Sequence, residues 1–189
     1  SLFDQIGEAV GCTPEERHIL EAASILHDVG QLVSYKSHHR HSYQLIMHAD
    51  RIGLGARERS LVALVSRYHR RRGPKRSDPE FAALSPDDQA LVRRTTGLLR
   101  VADGLDRGHT AVVDQVRAEL TRKKLVLRIA PRRAGANMEL EGWAARRKAD
   151  VLQKVLGRKI TINASLALAD PPARGERRRV TRRKAPRRS

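Results

Sequence analysis

The chain has 189 residues, with 38 Lys and Arg against 21 Asp and Glu and a formal charge of +17, so it has room for one ordinary domain and a small companion. Apolar residues make up 40%, yet only six are aromatic (Phe3, Tyr35, Tyr43, Tyr68, Phe81 and Trp143), which predicts an aliphatic core and argues against a base-stacking single-strand platform. The lone Cys12 excludes a disulfide framework and a multi-cysteine zinc site and fits a reducing, cytoplasmic setting, and no apolar run approaches the roughly 20 residues of a membrane helix.

The opening SLFDQIGEAVG has helical spacing at Leu2, Phe3, Ile6, Ala9 and Val10. It reads as the remnant of a longer protein, with an apolar face that needs a partner. Thr13-Pro14-Glu15-Glu16 predicts a second helix, with Thr13 as N-cap, Pro14 at the first position and Glu16 closing a capping box. Its stripe is Ile19, Leu20, Ala23 and Leu26, and Gly30 ends it. A third helix is expected over 41–50, with Leu45 and Ile46 inward. A fourth is expected over 56–69, carrying Leu61, Val62, Leu64, Val65 and Tyr68. After the polar loop RRRGPKRSDPE, Ser85-Pro86-Asp87-Asp88 repeats the cap signature and opens a helix with Leu91, Val92, Thr95, Leu98, Leu99, Ala102 and Leu105.

Beyond Thr110 the pattern changes to strands over 112–120 and 125–129, joined by the turn Thr121-Arg122-Lys123-Lys124. A short strand is expected over 138–141, a helix over 143–156 with Trp143, Ala144, Val151, Leu152 and Val155 inward, and a last strand over 159–163. The predicted class is mainly α: a helical domain over 1–110, a small α+β unit of β-β-α-β order over 111–164, and a tail over 165–189. That tail holds nine basic and two acidic residues and little apolar side chain, so it is expected to be disordered and solvated. Nucleic-acid binding through it rests on charge alone and is the less favoured reading.

Four places carry candidate chemistry. His27-Asp28 follows the apolar run SIL at the end of a helix, and a buried carboxylate is costly unless it is paired or metal-bound. Asp103 lies in LLRVADGLDR under the same constraint. His41 and His69 complete a set of His and carboxylate donors that suits Zn, Mn, Fe or Mg without cysteine. Each has a plainer alternative: His69 complements a helix C-terminus, Asp28 bonds the loop after it, and Asp103 pairs with Arg100 or Arg107. His18, His38, His39, His48 and His109 are expected at the surface or behind the ligands. Arg67, Arg70, Arg71, Arg72 and Lys75, around His69, are either a solvated helix end or a phosphate-binding cluster.

Together, ILHDVG, HRHSYQLI, RYHRRR and RVADGLDR resemble the HD phosphohydrolase superfamily. The combination of SHHRHSYQLI, LVSRYHRR, LLRVADGLDRGH and WAARRKADVLQKVLGRKITI is similar to the C-terminal region of the exopolyphosphatase / guanosine pentaphosphate phosphohydrolase (Ppx/GppA) family, over residues 1–163. The resemblance implies an HD-domain-like bundle in which His27 and Asp28 form the signature doublet and Asp103 is the late aspartate ligand, these three carrying the catalytic metal. It further implies His41 and His69 as ligands of a second divalent ion (Mg, Mn, Zn or Fe). Polyphosphate or a guanosine polyphosphate nucleotide would be held by Arg67, Arg70, Arg71, Arg72, Lys75 and Arg107. Two actin-like ATPase domains would precede this region, and a homodimer is expected. The superfamily's first histidine, one helix before the doublet, has no counterpart here. The implied activity is metal-assisted phosphoanhydride hydrolysis by the intact protein, with weak or no turnover by this stretch alone. The alternative is a non-catalytic polyphosphate channel that serves the upstream domains.

Overall fold

The computed structural model describes residues 1–164; the basic tail expected over 165–189 lies outside the described residues. The order is α1 (Leu2–Ile6), α2 (Pro14–Leu26), α3 (His38–Met47), α4 (Ala56–Tyr68), α5 (Pro79–Ala82), α6 (Pro86–Leu105), β1 (Val113–Leu120), β2 (Lys124–Pro131), α7 (Glu139–Lys148), α8 (Asp150–Leu156) and β3 (Lys159–Ala164). This is the predicted class, mainly α with a small α+β unit. No described helix is long and apolar enough to cross a membrane.

Two helices form the centre. In α4 every side chain from Leu61 to Ser66 is buried, and α6 buries Leu91, Val92, Leu98, Leu99, Val101 and Leu105. The α6 start follows its sequence signature: Ser85 Oγ accepts the Asp88 N–H at 3.1 Å and Pro86 occupies the first turn, where its missing N–H costs nothing. At α2 the expected box does not close. Thr13 makes no side-chain cap bond, and Glu16 is buried in an ion pair with Arg94 of α6. A charge partner across the bundle has outcompeted the local cap.

The sheet has the order β1-β2-β3, with β1 antiparallel and β3 parallel to β2. The opening helix is shorter than expected, continuing as a 3-10 turn over Glu8–Val10, and its apolar side has a partner in this same chain. Ile6 is buried, and Leu2 and Phe3 pack against the core. The Gln5 amide docks on the β1 edge, donating to the Val116 carbonyl at 2.8 Å and accepting from Ala118 N–H at 2.7 Å. This side-chain amide imitates a neighbouring strand and blunts the edge.

Other expectations also give way. Residues 139–141 start α7 rather than a strand, and the single helix expected over 143–156 breaks at Ala149. Trp143 is half exposed under Arg147, while Ala144 faces inward as expected and Ala145 takes the inward place beside it. Small residues win there because α6 offers a seat. A Cβ at Gly104 would lie 2.5 Å from Ala145 Cα, and one at Gly97 would lie 3.0 Å from Leu152 Cα. Seven residues apart, these glycines share a face of α6 and let α7 and α8 approach closely.

Candidate metal centre

The end of α2, the start of α3 and the end of α4 converge. Helix α2 stops at Leu26, and His27 and Asp28 leave on a turn that continues as a 3-10 turn over Val29–Leu32. That turn is pressed against α3 at Gly30, where any Cβ would collide with the His38 carbonyl oxygen and the Ser42 amide. Ser42 is fully buried between them. Its hydroxyl donates to the His27 carbonyl at 2.6 Å and accepts the Gly30 N–H at 2.9 Å.

His27, Asp28 and His69 each offer a ligand atom, all within 4.8 Å of one another. His38 joins them: its Nε2 is 2.9 Å from Asp28 Oδ1 and 3.1 Å from His69 Nε2. The His38 and His69 rings stack at 5.2 Å, and the His27 ring meets His69 edge-on at 4.8 Å.

The backbone fixes two of the tautomers. His27 Nδ1 lies 2.9 Å from the Ser24 carbonyl, and His69 Nδ1 lies 2.5 Å from that of Ser66. A carbonyl only accepts, so each Nδ1 carries the hydrogen and each Nε2 presents a lone pair. Two lone pairs and a carboxylate then face one another with no donor among them, which is a cation's donor set. Tying the far ring nitrogen to a carbonyl is how proteins orient histidine ligands. His38 Nδ1 is held by two competing groups, the Tyr35 carbonyl at 3.2 Å and the Arg70 guanidinium at 3.1 Å. The carbonyl favours Nδ1–H and a bare Nε2. The guanidinium favours Nε2–H, donating to Asp28.

Burial pushes the His27 and His38 rings below the usual histidine range and takes His39 down to about 4, so all three are neutral near pH 7. Burial works the other way on Asp28, but at the acid pH where a carboxyl titrates the facing imidazoles turn into hydrogen-bond donors and cations, which outweighs burial and holds the carboxyl well below the carboxylate range. Neutral imidazoles around an ionised carboxylate are in the state that ligates metal.

The remaining sequence candidates fall elsewhere. Asp103 is nearly buried and pairs with Lys148 of α7, not with Arg100 or Arg107 at helical spacing. Its charge still acts on His27, though it lies outside the 4.8 Å group. His41 is also outside the group, with its Cβ against Gly30. His38 and His39, expected at the surface or behind the ligands, are buried at 3% and 7% exposure. Both burials have one cause: α3 begins at His38, three residues early, after Ser37 takes a left-handed backbone at φ 61° without a side-chain cap. The overlooked signal is spacing, because His38, Ser42 and Ile46 fall at i, i+4 and i+8 on one buried face.

The basic cluster divides. Arg67 pairs with Glu80 at 2.8 Å and lies over the Tyr43 ring. Arg72 pairs with the buried Asp78, which also accepts from Tyr68 OH and the Lys75 N–H, both at 2.9 Å. Arg70, Arg71 and Lys75 have no carboxylate partner among the described residues. Arg70 lies over Tyr35 beside His38, while Arg71 is exposed with a left-handed backbone at φ 59°. Arg107 is half-buried, close enough for its charge to act on Lys148.

The model for "Ppx/GppA phosphatase, domain III" matches residues 1–146. The chain belongs to the Ppx/GppA phosphatase family. The Ppx/GppA match takes in all four residues of the centre, the basic loop and the β1–β2 hairpin, and it ends within α7, two residues before Lys148.

Proposed function

We propose that this region holds a divalent metal ion at His27, Asp28 and His69 and takes part, in the intact protein, in hydrolysis of phosphoanhydride bonds in polyphosphate or guanosine polyphosphates. The observation that carries the reading is the convergence of two Nε2 lone pairs on an ionised carboxylate, with each Nδ1 committed to a carbonyl. The residues fit an ion of the Mn, Zn, Fe or Mg class by donor chemistry. Bound there, such an ion lowers the pKa of a coordinated water and polarises a phosphoryl oxygen.

The chain's own groups supply the rest. Ser42 and Gly30 hold the doublet against α3, so the donors are placed before any ligand arrives. Arg70, 3.1 Å from His38, presents a guanidinium fork at the edge of the centre, and Arg71 and Lys75 extend positive charge away from it. Arg67 and Arg72 shape the loop through Glu80 and Asp78 and contribute less to the anion. Asp103 is the further carboxylate available to the ion.

The test is equilibrium binding of manganese(II) to the 189-residue chain, followed by phosphate release from polyphosphate and from guanosine pentaphosphate by the intact protein. His27→Ala and His69→Ala are expected to abolish binding and to reduce release together. Release unchanged by both variants overturns the catalytic reading. Arg70, Arg71 and Lys75, which have no carboxylate partner among the described residues, favour a second reading, a surface that guides polyphosphate to upstream actin-like domains. It predicts salt-dependent polyphosphate binding that is lost when all three become Ala but persists in His69→Ala.

A further inference from the structure

The last cation of this region comes from outside the bundle. Gly104 lets α7 lie against α6, and one turn beyond Ala145 the Lys148 ammonium meets the Asp103 carboxylate. Both side chains are largely shielded from water, at 17% and 6% exposure. The end of α7 is also anchored to the metal centre. The Arg100 guanidinium, itself 3% exposed, donates to the Lys148 carbonyl at 3.3 Å, the Tyr68 carbonyl at 3.0 Å and the Arg71 carbonyl at 3.2 Å, and pairs with Asp150 at 2.8 Å. The Lys148 backbone is thus tied to the turn that carries His69.

A carboxylate buried in this way needs a counter-charge, and here a lysine supplies it. An ammonium on four methylenes is a mobile point charge, and the positive charges of Arg107 and Arg100 act against it. A divalent ion at His27, Asp28 and His69 carries twice the charge and binds carboxylate oxygen directly.

We propose that Lys148 is a tethered substitute for the metal's charge at Asp103: an ion entering the His27–Asp28–His69 group recruits Asp103 by displacing the Lys148 ammonium, so metal affinity is set by that exchange. The proposal rests on the metal reading above and adds to it a residue beyond the family match. The exchange breaks one ion pair and makes another, and the released ammonium becomes available to a bound anion.

The experiment measures manganese(II) affinity by titration calorimetry on the 189-residue chain. Lys148→Met is expected to tighten binding about tenfold, Lys148→Arg to leave it near the wild-type value, and Lys148→Met to have no effect in an Asp103→Asn background. As a second readout, acetylation of Lys148 by acetic anhydride in the wild-type chain, followed by mass spectrometry, is expected to rise several-fold when manganese is bound. The acetylation result decides the matter if the methionine variant fails to fold. Wild-type binding with unchanged Lys148 acetylation, or with equal affinity in a folded Lys148→Met, overturns the exchange and leaves the metal centre standing. No binding by wild type or by any variant overturns the metal centre and the exchange with it.

Discussion

The Ser42 hydroxyl donates to the His27 carbonyl at 2.6 Å while accepting the Gly30 N–H at 2.9 Å, so one buried side chain fastens the His-Asp doublet to the helix that carries His38. Ser42→Ala leaves the Gly30 N–H without that acceptor and the His27 carbonyl without that donor. An orphaned buried group costs about 1–3 kcal/mol. Urea unfolding is expected to show a loss in that range, with weaker metal binding. A change below about 0.5 kcal/mol, the scale of an ordinary surface substitution, contradicts the role given to Ser42.

The seat at Gly104 is a steric claim. In a helix interior, replacing Gly with Ala ordinarily gains roughly 0.5–1 kcal/mol. Here the new Cβ would sit 2.5 Å from Ala145 Cα and 2.7 Å from its nitrogen, and overpacking costs about 1–3 kcal/mol. Gly104→Ala is therefore expected to destabilise the protein, as read by its thermal midpoint. A raised midpoint shows that α6 and α7 do not meet this closely.

Acid should weaken the metal-free protein through its histidines. Burial lowers His27 and His38 and takes His39 from 6.5 to about 4, so between those values the unfolded chain binds protons that the folded chain does not. The contribution is fully present above 6.5 and is lost as the pH falls toward 4. Denaturation midpoints of chelator-treated protein are expected to drop across this window, and to drop less for His39→Leu. An equal drop in the variant contradicts the burial assigned to His39.

Much of the bundle was legible where the signal was local. Ser85-Pro86 placed α6, strand composition on either side of the Thr121–Lys124 turn placed the hairpin, and His27, Asp28 and His69 stood out as donor types at helix ends. What stayed hidden depended on contacts across the chain. Glu16 left its cap for Arg94, His38 and His39 turned inward because α3 starts at a left-handed serine, and Asp103 met a lysine 45 residues away. Spacing along one helix carries no record of such partners.

The loop over 70–78 tests the division of the basic cluster. Asp78 is 5% exposed and accepts from Arg72, Tyr68 OH and the Lys75 N–H, while Arg72 holds its carboxyl well below the usual range. Asp78→Ala is expected to cost about 1–3 kcal/mol through the groups it orphans and to increase proteolysis within the loop. An unaltered cleavage pattern and stability would show that Asp78 does not organise this segment.

The central claim, that His27, Asp28 and His69 form a metal centre, is tested most directly by metal content. The 189-residue chain, incubated with manganese(II) and freed of excess, is analysed by mass spectrometry beside His69→Ala. Near-stoichiometric metal in the wild type, reduced to background in the variant, is the predicted result. Background metal in both, or equal metal in both, contradicts it.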